Sequence, residues 1–177
     1  LRALVRNNPR KAAIGVIYDP ASAKAAHAAG EGATVTLALG GKSGIPGDAP
    51  YEASFFVEKL SNGQFVAPGP YYGGRDMDMG PSACLRIGDV RVVVSSYKAQ
   101  LADQAMYRYV GIEPTAQSIL VNKSSVHFRA DFEPIAETLL ICAAPGAMPA
   151  DTAALPWTRL RPGVRIKPNG PAFAPKT

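Results

Sequence analysis

Lys123, His127 and Arg129 fall close together in the stretch Lys123-Ser124-Ser125-Val126-His127-Phe128-Arg129-Ala130-Asp131-Phe132. No other part of the chain gathers as many side chains able to bind an anion or exchange a proton. The flanking residues must position them. Ser118 to Val121 is a short apolar run that reads as a buried strand, and Phe128, Phe132, Ile135 and Ala136 have helical spacing. Ser124 and Ser125 sit at the junction, where a side-chain oxygen can cap free N–H groups of a helix. Open α/β sheets bind ligands where a strand ends and a helix begins, and helix N-termini attract anions. The same residues also read as a capped helix with solvated charges and one surface histidine, and the spacing leaves both readings open.

Two further stretches suggest chemistry and do not sustain it. Gly40-Gly41-Lys42-Ser43-Gly44 follows an apparent strand, but a phosphate loop needs glycine at position 36, where Thr36 stands. Gly30-Glu31-Gly32 fails as a dinucleotide fingerprint, because Val35 holds the third glycine position. A tight turn that uses glycine's backbone freedom is the favoured reading of Gly40-Gly41, although Lys42 at a strand end could hold an anion. Asp76 and Asp78, beside Arg75, form an Asp-x-Asp pair in a Gly- and Pro-rich stretch. Such a pair can bind a divalent cation through oxygen, but acids in glycine-rich turns more often cap backbone N–H groups or face water. His27 and His127 are the two histidines, and neither stands at zinc-site spacing from Cys84 or Cys142. Both cysteines lie in apolar segments and are expected to be buried free thiols.

The 177 residues suit one domain with a real core, and 47% apolar composition marks it as globular. No apolar run approaches the roughly 20 residues that span a bilayer, so no membrane partner is expected. The chain begins at Leu1 with no signal-peptide pattern; it reads as a piece of a longer, cytoplasmic protein. The net charge of +5 is concentrated at the ends: 9 of the 19 basic residues lie in 1–11 and 159–177, which hold no acid. The body between is mildly acidic, which argues against a nucleic-acid partner.

Residues 1–11 read as the end of a preceding segment or linker, 12–145 as the domain core, and 146–177 as a Pro-rich, mostly irregular tail. Strands are expected in 14–18, 33–39, 54–60, 64–67, 82–87, 90–96, 117–121 and 138–143, the last of them buried. Asp19-Pro20 starts a helix that Gly30 ends, with His27 on its surface, and a second short helix runs from Asp103 to Tyr109. Ser61-Asn62-Gly63 and Gly88-Asp89 predict two hairpins, and 68–81 a loop. Pro134 should end or kink the helix after His127. The fold class is mixed α/β or α+β, with a largely antiparallel or mixed sheet and two or three helices packed on it.

Several blocks carry a family resemblance: Asp19-Pro20 with the Ala-rich helix into Ala29-Gly30-Glu31-Gly32-Ala33; Leu39-Gly40-Gly41-Lys42; Asn62-Gly63 followed by Gly69-Pro70; Met79-Gly80-Pro81-Ser82-Ala83; and, most specifically, Lys123 to Ala130. In order and spacing across roughly 15–165, the chain resembles the C-terminal domain of the microcystinase C (MlrC) family of zinc metallopeptidases. The resemblance implies a hydrolase of peptide bonds whose zinc ligands and catalytic acid lie in an N-terminal domain, which would be this chain's principal partner. It implies no cofactor, no catalytic residue and no metal ligand within these residues, and no activity for them alone. The expected role is to close one wall of the cleft against a peptide-like substrate. Lys123, Ser124, Ser125, His127 and Arg129, with Gly40, Gly41 and Lys42, are the candidates to face it. Cations there could hold a substrate carboxylate or stabilise charge on the attacked carbonyl oxygen. The alternative is a structural or homo-oligomerisation domain that never touches substrate.

Overall fold

A computed structural model describes residues 1–45, 47–144 and 151–173. It divides into two compact units, Leu1–Gly41 with Pro50–Leu139, and Lys42–Ala49 with Leu140–Thr177. The first unit is a mixed α/β structure. Its elements are α1 (Arg2–Asn7), β1 (Ala12–Tyr18), α2 (Pro20–Ala29), β2 (Thr34–Leu39), β3 (Tyr51–Ser61), β4 (Gln64–Ala67), β5 (Arg75–Asp78), β6 (Ser82–Ile87), β7 (Val90–Ser95), α3 (Ala105–Arg108), β8 (Ile119–Asn122) and α4 (Arg129–Phe132). Six strands form one sheet in the order β2-β3-β6-β7-β1-β8, and β4 and β5 pair separately. β1 runs parallel to both β7 and β8, while the other pairings are antiparallel. Four α-helices appear where the sequence predicts two or three, but only α2 exceeds six residues.

The run Val92-Val93-Val94 is central because its side chains are buried on both faces of β7. Val90, Val92 and Val94 join one core with Ala23 and Ala26 of α2, Phe55, Val57 and Leu85. Val93 joins a second core with Met79, Leu101, Met106, Tyr107, Phe128 and Phe132. β1 feeds both cores, and its register shifts between Ile14 and Ile17, so that Ala13 and Val16 reach the second core while Ile14 and Ile17 pack on the first. α2 begins as the sequence predicts. Asp19 accepts from the Ser22 backbone N–H at 3.1 Å, Pro20 holds the first turn, and Gly30 ends it at φ 86°.

Several expectations need correction. β3 and β4 do not form a hairpin, since β3 pairs with β2 and β6, and β4 with β5. Gly63 makes the tight turn at φ 88°, but a Cβ there would lie 2.1 Å from the Gly80 carbonyl oxygen, so the glycine serves a backbone crossing between two sheets. The stretch 68–81 is not all loop, for it contains β5 with Arg75, Asp76 and Asp78. β8 is an edge strand with Ile119 and Val121 exposed rather than a buried one. Residues 138–143 form no strand, and Leu140, Ile141 and Cys142 are exposed, whereas Cys84 is buried. His27 is not simply a surface residue, because its half-buried ring bonds the Ser82 carbonyl oxygen through Nε2 at 3.0 Å.

In the second unit, Asp151 caps a single 3₁₀ turn, Thr152–Ala154, and pairs with Lys167 at 2.8 Å. The Trp157 indole donates to the Thr152 carbonyl at 2.7 Å. Pro145, Pro149, Pro175 and Lys176 of the expected tail lie outside the described residues. Among the described residues no helix is long and apolar enough to cross a membrane.

Candidate functional site

β1, β7 and β8 run in one direction, so their C-terminal ends share one edge of the sheet. The segment after β8 leaves that edge with its backbone still held. The Lys123 N–H donates to the Gly15 carbonyl at 2.8 Å, and its carbonyl accepts from Leu101 N–H at 3.2 Å. Phe128 then turns inward to the second core and Phe132 follows it one helical turn later, which leaves Arg129 and Ala130 toward the outside. The helix is short, as Pro134 predicts, passing into a 3₁₀ turn at Glu133–Ile135. The serines do not cap it. Phe128 occupies the N-cap position without a side-chain bond, Ser124 Oγ is buried with no partner among the described residues, and Ser125 Oγ instead meets Gln100 Nε2 at 3.2 Å.

His127 is exposed but held on two sides. Its Nδ1 meets Gln100 Oε1, and its ring stacks on Tyr71 at 4.1 Å between centroids with an interplanar angle of 29°. Pro70, Tyr71, Val126, His127, Arg129 and Ala130 line a groove of about 350 Å³. Arg129 reaches Glu133 at 3.3 Å, a pairing along an exposed helix face of the kind that holds a side chain only loosely.

Both supports come from loops. Tyr71 is carried by the loop between β4 and β5, which is tied down at Gly69. That N–H donates to the buried Asp103 carboxylate at 2.6 Å, and a Cβ at Gly69 would meet Asp103 Oδ2 at 2.7 Å and Asp131 Oδ2 at 3.0 Å. Asp131 in turn accepts from the Gln104 backbone N–H at 2.6 Å. Gln100, in the segment after β7, accepts the Tyr72 hydroxyl on its carbonyl at 2.8 Å, and burial pushes that phenol's pKa up. Tyr71 and Gln100 had no individual signal in the sequence, Asp103 stood there only as the start of a short helix and Asp131 only as part of the 123–132 stretch; Gly69-Pro70 alone hinted that the loop carrying Tyr71 mattered.

Of the other candidates, Gly40, Gly41 and Lys123 lie apart from the groove. Gly40 and Gly41 take left-handed conformations at φ 60° and 59°, and the Gly40 N–H donates to Asp19 Oδ2 at 3.0 Å, which ties the end of β2 to the start of α2. Lys42 belongs to the second unit. The Lys123 side chain is exposed and does not line the groove.

A catalytic metal does not fit these donors. Among the described residues no three His, Cys, Asp or Glu side chains converge on one point. Asp103 spends both oxygens on backbone N–H groups, Asp131 accepts from the Gln104 backbone N–H and faces its side-chain amide, Asp78 accepts from the Gly80 N–H at 2.8 Å, and His127 meets the neutral Gln100 amide at its Nδ1.

Residues 1–159 match the family model described as MlrC C-terminus. The chain belongs to that family. It is 26% identical over 146 residues to microcystinase C of Sphingomonas sp., an alignment covering 80% of this chain and 27% of that protein. It also resembles the crystal structure, at 2.13 Å resolution, of a "putative metallopeptidase" from Mesorhizobium sp. BNC1, with TM-score 0.80 and 32% identity over 91% of this chain and 32% of that one. The MlrC-type chain thus spans about a third or less of the length of either relative. The matched span takes in the groove, its three supporting loops, and α1.

Proposed function

We propose that this chain is the C-terminal domain of a metal-dependent peptide hydrolase and that the face carrying His127 forms one wall of its substrate cleft. Zinc and the catalytic acid belong, in this reading, to an N-terminal domain, the chain's main partner. The observation that carries it is the treatment of His127. Three loops converge to hold an imidazole in one orientation while leaving it at the surface, beside an arginine and an apolar groove. A histidine that merely decorated a helix would need neither the Tyr71 stack nor the Gln100 contact. Arg129 can leave its exposed partner Glu133 to take a substrate carboxylate. The wall as a whole excludes water from the reacting peptide.

The test is His127→Ala in the full-length protein. The expected result is a loss in kcat/KM of roughly a hundredfold on a peptide substrate, with melting temperature and bound zinc unchanged. Activity that falls only in step with stability would overturn the cleft role. One observation favours a second reading, association through the sheet edge: β8 is an edge strand that exposes Ile119 and Val121. Size-exclusion of the chain giving a dimer that Val121→Lys dissociates would support it.

A further inference from the structure

The contact between Gln100 and His127 carries more than orientation. A neutral imidazole has one N–H and one bare nitrogen, and which is which depends on what each nitrogen meets. Gln100 is oriented by both ends of its amide. Its Nε2 points to Ser125 Oγ at 3.2 Å, which leaves Oε1 toward His127 Nδ1. With the amide placed this way, its oxygen can only accept, and Nδ1 then bears the proton. Tyr72 fixes the same residue from behind through the Gln100 carbonyl, and the Tyr71 ring restricts rotation of the imidazole about its own bonds.

The geometry points to Gln100 as a positioning residue that locks His127 in the Nδ1–H tautomer and so presents a bare Nε2 toward the groove as a hydrogen-bond acceptor. No described residue bonds that nitrogen. An acceptor there suits a ligand group that carries N–H or N–H₃⁺, such as a backbone amide or the amino end of a peptide. Tyr71 and Arg129 are the other titratable groups lining the groove; the guanidinium can only donate, whereas the tyrosine hydroxyl can donate or accept. The same Nε2, which unlike the tyrosine hydroxyl has no proton of its own to place, would be a dedicated receiver of a peptide N–H. The use of this acceptor on substrate rests on the cleft role proposed above; the tautomer itself does not.

The two are separable by experiment. In the ¹⁵N-labelled chain, the two-bond ¹H–¹⁵N spectrum of His127 at a pH where the ring is neutral should show the pattern of a protonated Nδ1 and a bare Nε2. Gln100→Ala should shift the population toward the Nε2–H form, and Gln100→Glu, which keeps an acceptor oxygen in place, should restore the Nδ1–H pattern. In the full-length enzyme, Gln100→Ala should lower kcat/KM about tenfold with Gln100→Glu recovering most of it, because the acceptor and not the amide is what matters. A wild-type spectrum of the Nε2–H form, or one that Gln100→Ala leaves unchanged, overturns the inference whatever the enzyme does. The predicted tautomer in a protein whose His127→Ala variant is fully active upholds the inference and overturns the cleft role instead.

Discussion

The two faces of the six-stranded sheet are built on different principles. The α2 face is packed with small and branched side chains: Ala12, Ala23, Ala26 and Ala83 allow a close approach between helix and sheet, and Val90, Val92, Val94 and Leu85 fill the space between. One ten-residue helix is its main cover, with its start and stop written in its own residues, and Leu1 and Leu4 pack against the same core. The opposite face uses Met79, Met106, Tyr107, Phe128 and Phe132 under two four-residue helices and three loops. Segments that short cannot hold themselves. They are fastened by polar clasps, with Asp103 on Gly69 and Ala105, Asp131 on Gln104, and Arg108 on Glu113. The site sits on the clasped face. Apolar packing gives this domain its stability, while carboxylate-to-backbone bonds give it a fixed arrangement of loops at which an imidazole can be aimed.

The largest effect should come from cutting the packed face. Leu85 is fully buried there, and Leu85→Ala should cost roughly 2–5 kcal/mol by urea denaturation. The His127 tautomer in the fraction still folded should be unchanged, because no clasp touches Leu85. A changed tautomer would mean that the two faces are coupled more tightly than their construction implies.

The clasped face should respond in the opposite proportion. Gly69→Ala pushes a methyl group into two carboxylates that already hold backbone N–H groups. The expected cost is smaller, roughly 1–3 kcal/mol, as for other overpacked sites. The effect on the site should be larger than with Leu85→Ala, since Tyr71 is carried two residues on. The ring-current shift that the Tyr71 stack imposes on the His127 ring protons should collapse. A variant that keeps the shift would show that the stack does not depend on the Gly69 tether.

The same contrast explains what could be read in advance. The α2 face follows from near neighbours: Asp19-Pro20 and Gly30 bracket a helix, Gly88-Asp89 turns a hairpin, and an unbroken valine run implies a strand buried on both sides. Asn62-Gly63 marked a turn correctly, but which strands it joined depended on Gly80, seventeen positions away. The apolar run 138–143 had strand composition and no partner, and composition cannot supply one. At the site, Lys123 to Arg129 announced themselves by type, whereas the supports of His127 come from Tyr71 and Gln100, in loops attached to other strands. Ser124 and Ser125 looked like helix caps because the sequence could not show that Phe128 would be drawn into the core and take the N-cap position first.

The smallest expected effect separates the faces by pH. Glu113 bonds the Arg108 guanidinium through both carboxylate oxygens, at 2.8 and 3.0 Å, and also accepts the Thr115 hydroxyl, clasping α3 to the turn that leads into β8. Those bonds, the Arg108 guanidinium foremost, hold its carboxyl at about 2, against an ordinary value of 4.5. A carboxyl depressed in the folded state stabilises above its unfolded pKa and loses that contribution as pH falls through its folded one. The clasp should therefore be intact above pH 4.5 and released progressively toward pH 2. Because the pair is exposed to solvent, its worth is under about 1 kcal/mol. Urea titrations of the wild type and Glu113→Gln should differ by that amount at pH 7 and converge near pH 2. Leu85 makes only apolar contacts in its core and has no titrating partner, so Leu85→Ala should cost the same at pH 7 as at pH 4. A Glu113→Gln difference that persisted undiminished near pH 2 would assign its effect to packing around β8, and the division between a packed face and a clasped one would not extend to that turn.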